Sequence, residues 1–527
     1  MKANLKQRLF SPITIAGIVF FLASSLFTAD SYLLMLTAAQ LIFVPLMLQL
    51  LVEIKRKHII FTWMTMLSVF LLAVVPSSAG QIALAFIYLM FTFLVALYGV
   101  KRFFQRGFTN WAEISIDIGL MYLFVGGLWF FAYIAGIDTG FSPLITWLTA
   151  IHFHYSAFLY PISLGFFGRL HNSNLYPFIV VSILAGPMLV AIGITFWPLL
   201  EFISVLVYIF AIYCLIFLAF RTRFATNLQA LFIRLSYVAL GITIIFSLLY
   251  AANSAFGSWF VSIDFMLMFH GFFNCVVFGM VGVLGWVMAP PPSKQADWNF
   301  PVSKIRGKLK GAGEQRPGLV ENLSDFVDVK ALPYAIVHFY EKTERYQLVA
   351  SVKWSAWFKP LAWCYKWIST KMQQLNLPIS STPTEMTYTI RAVDSSIDGR
   401  KNPRAWVRQV ENQTVFVAIY SQHETEGRTY MNIALPLPYS SMIGVLQLDA
   451  EDVGSLVLSS EGKGDPGVYL AVGRTIFKLP LSEHFIIKEK RAGVLTAEHN
   501  MKIFGVPFLR VDYRIDEKID SENDKLA

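Results

Sequence analysis

The chain has 527 residues, 56% of them apolar and only 15% charged, with a formal net charge of +9. Soluble domains carry about 25% charged residues, so a wholly water-soluble globule is excluded. Residues 1–290 hold 13 Lys/Arg and 7 Asp/Glu, whereas the 237 residues that follow hold 30 and 27. The first part reads as membrane and the second as ordinary globular protein. The second part's near balance of charge argues against a nucleic-acid partner.

A helix needs about 20 apolar residues to cross the hydrocarbon. Ten stretches qualify: 11–28, 32–52, 59–76, 81–100, 114–134, 143–168, 176–194, 198–220, 232–252 and 263–288. They are continuous rather than alternating, which predicts helices and not barrel strands. Lys and Arg occur only in alternate connections. They are Lys2, Lys6 and Arg8; Lys55, Arg56 and Lys57; Lys101, Arg102 and Arg106; Arg169; Arg221 and Arg223; then Lys294, Lys304, Arg306, Lys308 and Lys310. The five opposite connections lack Lys and Arg and carry Asp30, Asp138 and Asp264. By the positive-inside rule both termini lie in the cytoplasm of a multi-pass bacterial cytoplasmic-membrane protein. Lys2–Arg8 followed by an apolar run also has the look of a signal peptide. The run is longer than a usual signal core, so a retained helix is expected.

Ionisable groups inside lipid are costly and usually face a cavity or a partner. The sixth span contains His152, His154, Tyr155 and Ser156, and the tenth contains His270 and Asn274. Both spans run outside to inside, and His152 and His270 each lie about eight to ten residues below the outer end. At about 1.5 Å per residue the two reach one depth near the midplane, and they are expected to share a cavity. His152 shares a helical face with Tyr155 and Ser156, and His270 shares one with Asn274. His152 and His154 point about 200° apart on a regular helix. Pro161 predicts a bend below them. Glu113 and Asp117, four residues apart at the start of the fifth span, offer a proton path. Neutral imidazoles also bind transition metals or haem, so His152, His154 and His270 are candidate ligands if they converge with a carboxylate.

Pro290, Pro291 and Pro292 end the last span, and residues 290–317 read as a Pro-rich basic linker facing anionic headgroups. Residues 318–515 read as a β-rich cytoplasmic domain, a sandwich or partly closed barrel with one helix. Strands are expected at 335–340, 345–352, 386–393, 404–410, 414–421, 429–434, 442–448, 455–460, 467–471, 474–478, 484–487 and 506–515. Turn dipeptides such as Asp398-Gly399 and Glu426-Gly427 separate some of them. Residues 516–527 are charged and expected to be disordered. A helix is expected from Lys359 to Gln374, with Leu361, Tyr365, Ile368 and Met372 on one face. Lys359, Trp363, Lys366 and Trp367 lie on the other, a pattern suited to the membrane surface. The three cysteines have no disulfide or zinc spacing, and no dinucleotide loop, phosphate loop or serine-hydrolase elbow is present.

The His152-Phe153-His154-Tyr155 segment, the Phe269-His270-Gly271-x-x-Asn274 segment and the ten-helix layout resemble the YndJ family of bacterial membrane proteins. The stretches Met431-Asn432-Ile433-Ala434-Leu435-Pro436-Leu437-Pro438 and Ile503-Phe504-Gly505-Val506-Pro507-Phe508-Leu509 resemble the soluble extension of some members. The resemblance implies a transporter-like protein and supplies no catalytic residues. The expected function is therefore movement of a small solute, lipid or ion past the histidine site. The alternatives are a membrane-embedded histidine–metal or haem enzyme or redox protein, and a membrane-anchored lipid-binding or sensing protein.

Overall fold

The computed structural model describes residues 5–518 except 29, 53–55, 109, 172, 258–260, 294–297, 373–376, 411–412, 452–453, 463 and 474. The chain divides into a helical unit, residues 1–103 and 110–294, and a β-rich unit, residues 104–109 and 295–527.

All ten expected spans fall on helical segments. They are α1 (Pro12–Ser25), α2 (Leu33–Leu51), α3 (Arg56–Leu72), α4 (Ser78–Arg106), α5 (Trp111–Ala135), α6 (143–170), α7 (Tyr176–Phe196), α8 (Pro198–Arg221), α9 (Asn227–Phe256) and α10 (Ile263–Met288). Seven of the described helices (α2, α4, α5 and α7–α10) are long and apolar enough to cross a membrane. Local sequence sets the ends. Ser11 and Ser142 each cap a helix whose first residue is proline, which needs no N–H there. Gly136 and Gly257 close α5 and α9 in the left-handed conformation that glycine adopts without strain.

Within α6, residues Tyr155–Leu159 form a π turn immediately ahead of Tyr160 and Pro161. The expected irregularity at this proline therefore takes the form of a widened turn, placed one step from the histidines. A second π turn, Ala39–Phe43, precedes Pro45 in α2. In α10 the π segments Met266–Gly271 and Asn274–Val281 carry His270 and Asn274.

The β-rich unit is a closed barrel of ten antiparallel strands. Its strands are β2 (Tyr346–Trp354), β3 (Thr384–Val393), β4 (Lys401–Val410), β5 (Gln413–Thr425), β6 (Arg428–Leu437), β7 (Ser440–Glu451), β8 (Ser455–Ser459), β11 (Leu481–Arg491), β12 (Val494–Ile503) and β13 (Val506–Glu517). Each pairs with its neighbour in the chain, β8 pairs with both β7 and β11, and β13 pairs back to β2. The hairpin of β9 (Gly467–Val472) and β10 (Thr475–Lys478) lies outside the ring and pairs along the first half of β7. Closure removes the free edges that an open sheet would expose. Glu426 and Gly427 both take positive φ between β5 and β6, the tight hairpin geometry that their dipeptide led one to expect.

Three expectations change, and β12 falls on residues for which no strand was expected. Residues 335–340 are not a strand but lie within α11 (Tyr334–Glu341). Pro333 precedes it, and Ala335, Ile336, Phe339 and Tyr340 recur at helical spacing as its buried face. The stretch read as a linker is largely part of the β-rich unit. Phe300 and Ile305 are buried against the sheet, Ser303 donates to Asp398 Oδ1 at 2.6 Å, and β1 (Ala312–Gln315) pairs with β3. Basic residues gave this segment a linker's composition, but its few apolar residues anchor it. Residues 294–297 of that stretch and 519–527 of the expected tail lie outside the described residues, while β13 runs on to Glu517.

Candidate functional site

His152 and His270 line one cavity of about 230 Å³ in the helical unit. Its other walls come from α5, α7, α8 and α9, among them Trp129, Pro187, Val205 and Ile244, with Phe153 beside His152 on α6. Ser156 shares the cavity. It stands one turn from His152, as helical spacing requires. His152 Nδ1 lies 2.6 Å from Leu148 O and His270 Nδ1 lies 3.0 Å from Thr243 O. A carbonyl oxygen only accepts, so Nδ1 carries the hydrogen in both rings. Nε2 of each neutral imidazole is then a lone-pair acceptor. Tyr208 also lines the cavity, and among the described residues its buried hydroxyl has no hydrogen-bond partner.

The other candidates go elsewhere. His154 is buried on the opposite side of α6. Its Nδ1 donates to Ala150 O at 2.8 Å, its Nε2 accepts from Tyr88 Oη at 2.6 Å, and its ring stacks on Tyr88. Gly126 of α5 makes room for it, since a Cβ there would meet the ring at 2.9 Å. Tyr155 Oη donates to Met35 O at 2.8 Å and lies 3.1 Å from Cys275 Sγ. Asn274 accepts from Thr243 Oγ1 at 2.9 Å, so His270 and Asn274 both hold α10 to one residue of α9. The three histidines do not converge, because both ring nitrogens of His154 are already engaged. Among the described residues no three His, Cys, Asp or Glu side chains are grouped to hold a metal.

Glu113 and Asp117 sit among arginines. Arg102 Nε donates to Asp117 Oδ1 at 2.6 Å and its NH2 to Glu113 Oε2 at 2.9 Å. Arg169 Nε donates to Glu113 Oε1 at 2.8 Å, while its NH1 donates to Pro291 O at 2.9 Å. Ser293 Oγ also donates to Glu113 Oε1 at 2.8 Å. The side chains of Arg102, Glu113, Asp117 and Arg169 are at most 6% exposed. The group ties α4, α5, α6 and the exit of α10 together. Both carboxylates are thereby engaged by guanidinium groups inside the helical unit. Arg102 and Arg169 thus have a structural task beyond the orientation that their positions implied.

In the β-rich unit, α12 (Lys359–Met372) presents Trp363, Trp367 and Leu361 at 69%, 70% and 55% exposure, with Lys359 and Lys366 also exposed. Leu361, placed on the face opposite the tryptophans, is thus exposed as well, and Ala362 is buried at 2% exposure.

Sequence reasoning missed a second cavity, inside the barrel, of about 130 Å³. Its walls are largely apolar, with Arg408, Glu483 and His499 set among them and Tyr340, Tyr420 and Tyr513 contributing phenol rings. The Arg408 guanidinium carbon lies 4.3 Å and 3.9 Å from the ring centres of Trp406 and Phe416. Among the described residues its Nε has no acceptor, and Trp406 Nε1 and His499 Nε2 are likewise buried without hydrogen-bond partners. His499 stacks on Phe485, and its Nε2 is 3.8 Å from Glu483 Oε2. Burial pushes the Glu483 carboxyl up to about 7. Burial, reinforced by Arg408, pushes His499 down to about 3, so it is neutral. Inward-facing polar residues alternate along strands as outward ones do, so nothing in the sequence sets these three apart.

The helical segments and the barrel define a multi-pass membrane protein carrying a β-barrel domain. The chain belongs to the YndJ-like protein family. The family's profile matches residues 34–278. A Bacillus subtilis (strain 168) protein named "Uncharacterized membrane protein YndJ" is 39% identical over 455 residues, spanning 82% of this chain and 83% of that protein. That span exceeds the helical unit, so the similarity reaches into the barrel. No solved structure matches.

Proposed function

We propose that this protein is transporter-like and that the His152–His270 cavity receives a small amphipathic solute or lipid. The observation that carries the reading is the pair of histidines on separate helices, each tied through Nδ1 to backbone and each lining one largely apolar cavity. Two Nε2 acceptors suit a ligand with hydroxyl or ammonium donors, and the apolar walls suit its hydrocarbon part. Alternating basic connections support ten spans with both ends in the cytoplasm of the bacterial cell membrane. The exposed tryptophans and lysines of α12 support its contact with anionic headgroups.

Accessibility tests the reading without a known substrate. Ser156 is replaced by Cys in a chain whose Cys214, Cys275 and Cys364 are Ala. The protein is reconstituted in one orientation and treated with a membrane-impermeant maleimide. A transporter-like protein alternates its access, so modification is expected from either face. Modification from one face only, or from neither, rejects the reading.

A further inference from the structure

We infer that the barrel interior is a binding site for an aliphatic carboxylic acid of about ten carbons, its head on Arg408 and its chain along the inward faces of β2, β7, β8, β11 and β13. A buried guanidinium costs free energy unless it is paired. The other buried arginines show the usual solution. Arg400 donates to both oxygens of Asp398, at 2.7 and 3.1 Å, and to Asn432 Oδ1 at 2.9 Å. Arg408 is 6% exposed, and among the described residues it makes no ion pair or hydrogen bond. The rings of Trp406 and Phe416 hold it flat, which fixes its donor edge for a planar acceptor such as a carboxylate. Trp406 Nε1 and His499 Nε2 are further unpartnered groups of the same wall.

Glu483 is the one acidic group lining the cavity. Desolvation alone shifts its titration upward, so near neutrality a large fraction of it is protonated, uncharged and able to donate. Neutral His499 adds no charge. The interior is thus a cationic point in an apolar chamber, which selects an anionic head on a hydrocarbon body. The far wall is Leu348, Leu446, Leu458, Ile487 and Val511. A cavity of about 130 Å³ has room for about ten water-sized groups, the length chosen here. Phe339 and Tyr340 of α11 also line the chamber.

The test uses the full chain in detergent, with decanoic acid and decanol probes that each carry a photoactivatable diazirine. Cross-linked peptides are mapped by mass spectrometry. The acid probe is expected on inward-facing positions such as Ala418, Leu446 and Ala497, at least tenfold above the alcohol. Arg408→Met should bring the acid down to the alcohol's level. Gly444→Leu fills the chamber while leaving Arg408 in place. A Cβ at Gly444 meets Glu483 Oε2 at an ordinary 3.6 Å, so the strand tolerates it, and labelling by both probes should fall at least tenfold. The inference is overturned by equal labelling with acid and alcohol, by labelling only on outward-facing residues, or by labelling that survives Gly444→Leu.

Discussion

Buried arginine is handled in two ways in this chain. In the helical unit Arg102 and Arg169 each meet carboxylates, and the resulting cluster joins four helical elements. In the barrel Arg400 follows the same rule with Asp398, whereas among the described residues Arg408 meets aromatic faces and no carboxylate. A charge that holds a fold together is neutralised by the fold. A charge that the fold leaves open is placed for something that comes from outside. The histidines repeat the contrast: His154 has both nitrogens engaged within the protein, whereas His152 and His270 each retain one beside a cavity.

The largest expected effect comes from breaking one kind of arginine site and sparing the other. Glu113→Gln leaves two buried guanidinium groups short of their counter-charge, and breaking a buried pair costs about 3–5 kcal/mol. The purified full chain should unfold at a markedly lower temperature. Arg408→Met removes a buried cation with no partner to strand, so stability should hold or rise. Equal losses of melting temperature in the two variants would show that Arg408 is also paired within the fold, and the comparison would fail.

This contrast also separates what the sequence makes legible from what it hides. In a membrane helix the background is apolar, so His152, His270 and Glu113 stand out, and helical spacing gives their faces and depths. Partners do not stand out, because Arg102 and Arg169 lie in segments whose positive charge already has a topological explanation. Nine of the ten barrel strands were legible as alternating runs, but β12, where Glu498, His499 and Asn500 interrupt the apolar pattern, was not; nor was closure into a ring, since the β7–β8 and β13–β2 pairings depend on long-range register. Residues 335–340 have alternation and helical spacing at once, and burial against the barrel core decides for the helix. Arg408, Glu483 and His499 sit on strands where polar residues are ordinary. Which of them face inward follows only from the closed register.

Glu483 offers a smaller effect with a defined sign. Its folded-state titration is raised to about 7 from an ordinary 4.5, so the folded protein keeps a proton that the unfolded chain has lost. That contribution to stability is fully present below about 4.5 and is lost as pH rises through about 7. His499 works in the other direction. Its folded-state value is depressed to about 3, so its contribution is present above about 6.5 and is lost as pH falls toward 3. Glu483→Gln removes the first titration alone. The variant should match the parent near pH 4.5 and exceed it increasingly up to about pH 7, by up to roughly 10 °C, since a rise from 4.5 to about 7 corresponds to about 3 kcal/mol and about 2–4 °C to 1 kcal/mol in a domain of this size. A difference independent of pH would mean that Glu483 keeps its charge, and the chamber would then no longer be a net cationic point.

The smallest effect concerns α12, where the comparison moves from buried charge to exposed aromatic surface. Trp363 and Trp367 stand in solvent in a chain that is already tethered to a bilayer. Tryptophan gains most at the headgroup level, and each nearby lysine adds about 1 kcal/mol on an anionic surface. Cys364 is exposed on the same helix and supplies a reporter position. With Cys214 and Cys275 replaced by Ala, an environment-sensitive fluorophore on Cys364 should be quenched by shallow spin-labelled lipids in anionic vesicles. High salt should weaken the quenching, because the lysine contribution is screened within a Debye length of about 10 Å at 0.1 M ionic strength. Trp363→Ala with Trp367→Ala should lower it by about half, the share expected if aromatic insertion and lysine attraction contribute comparably. Quenching that is absent in the parent chain, or indifferent to both salt and the tryptophans, would place α12 away from the lipid. Its aromatic surface would then need a protein partner to cover it.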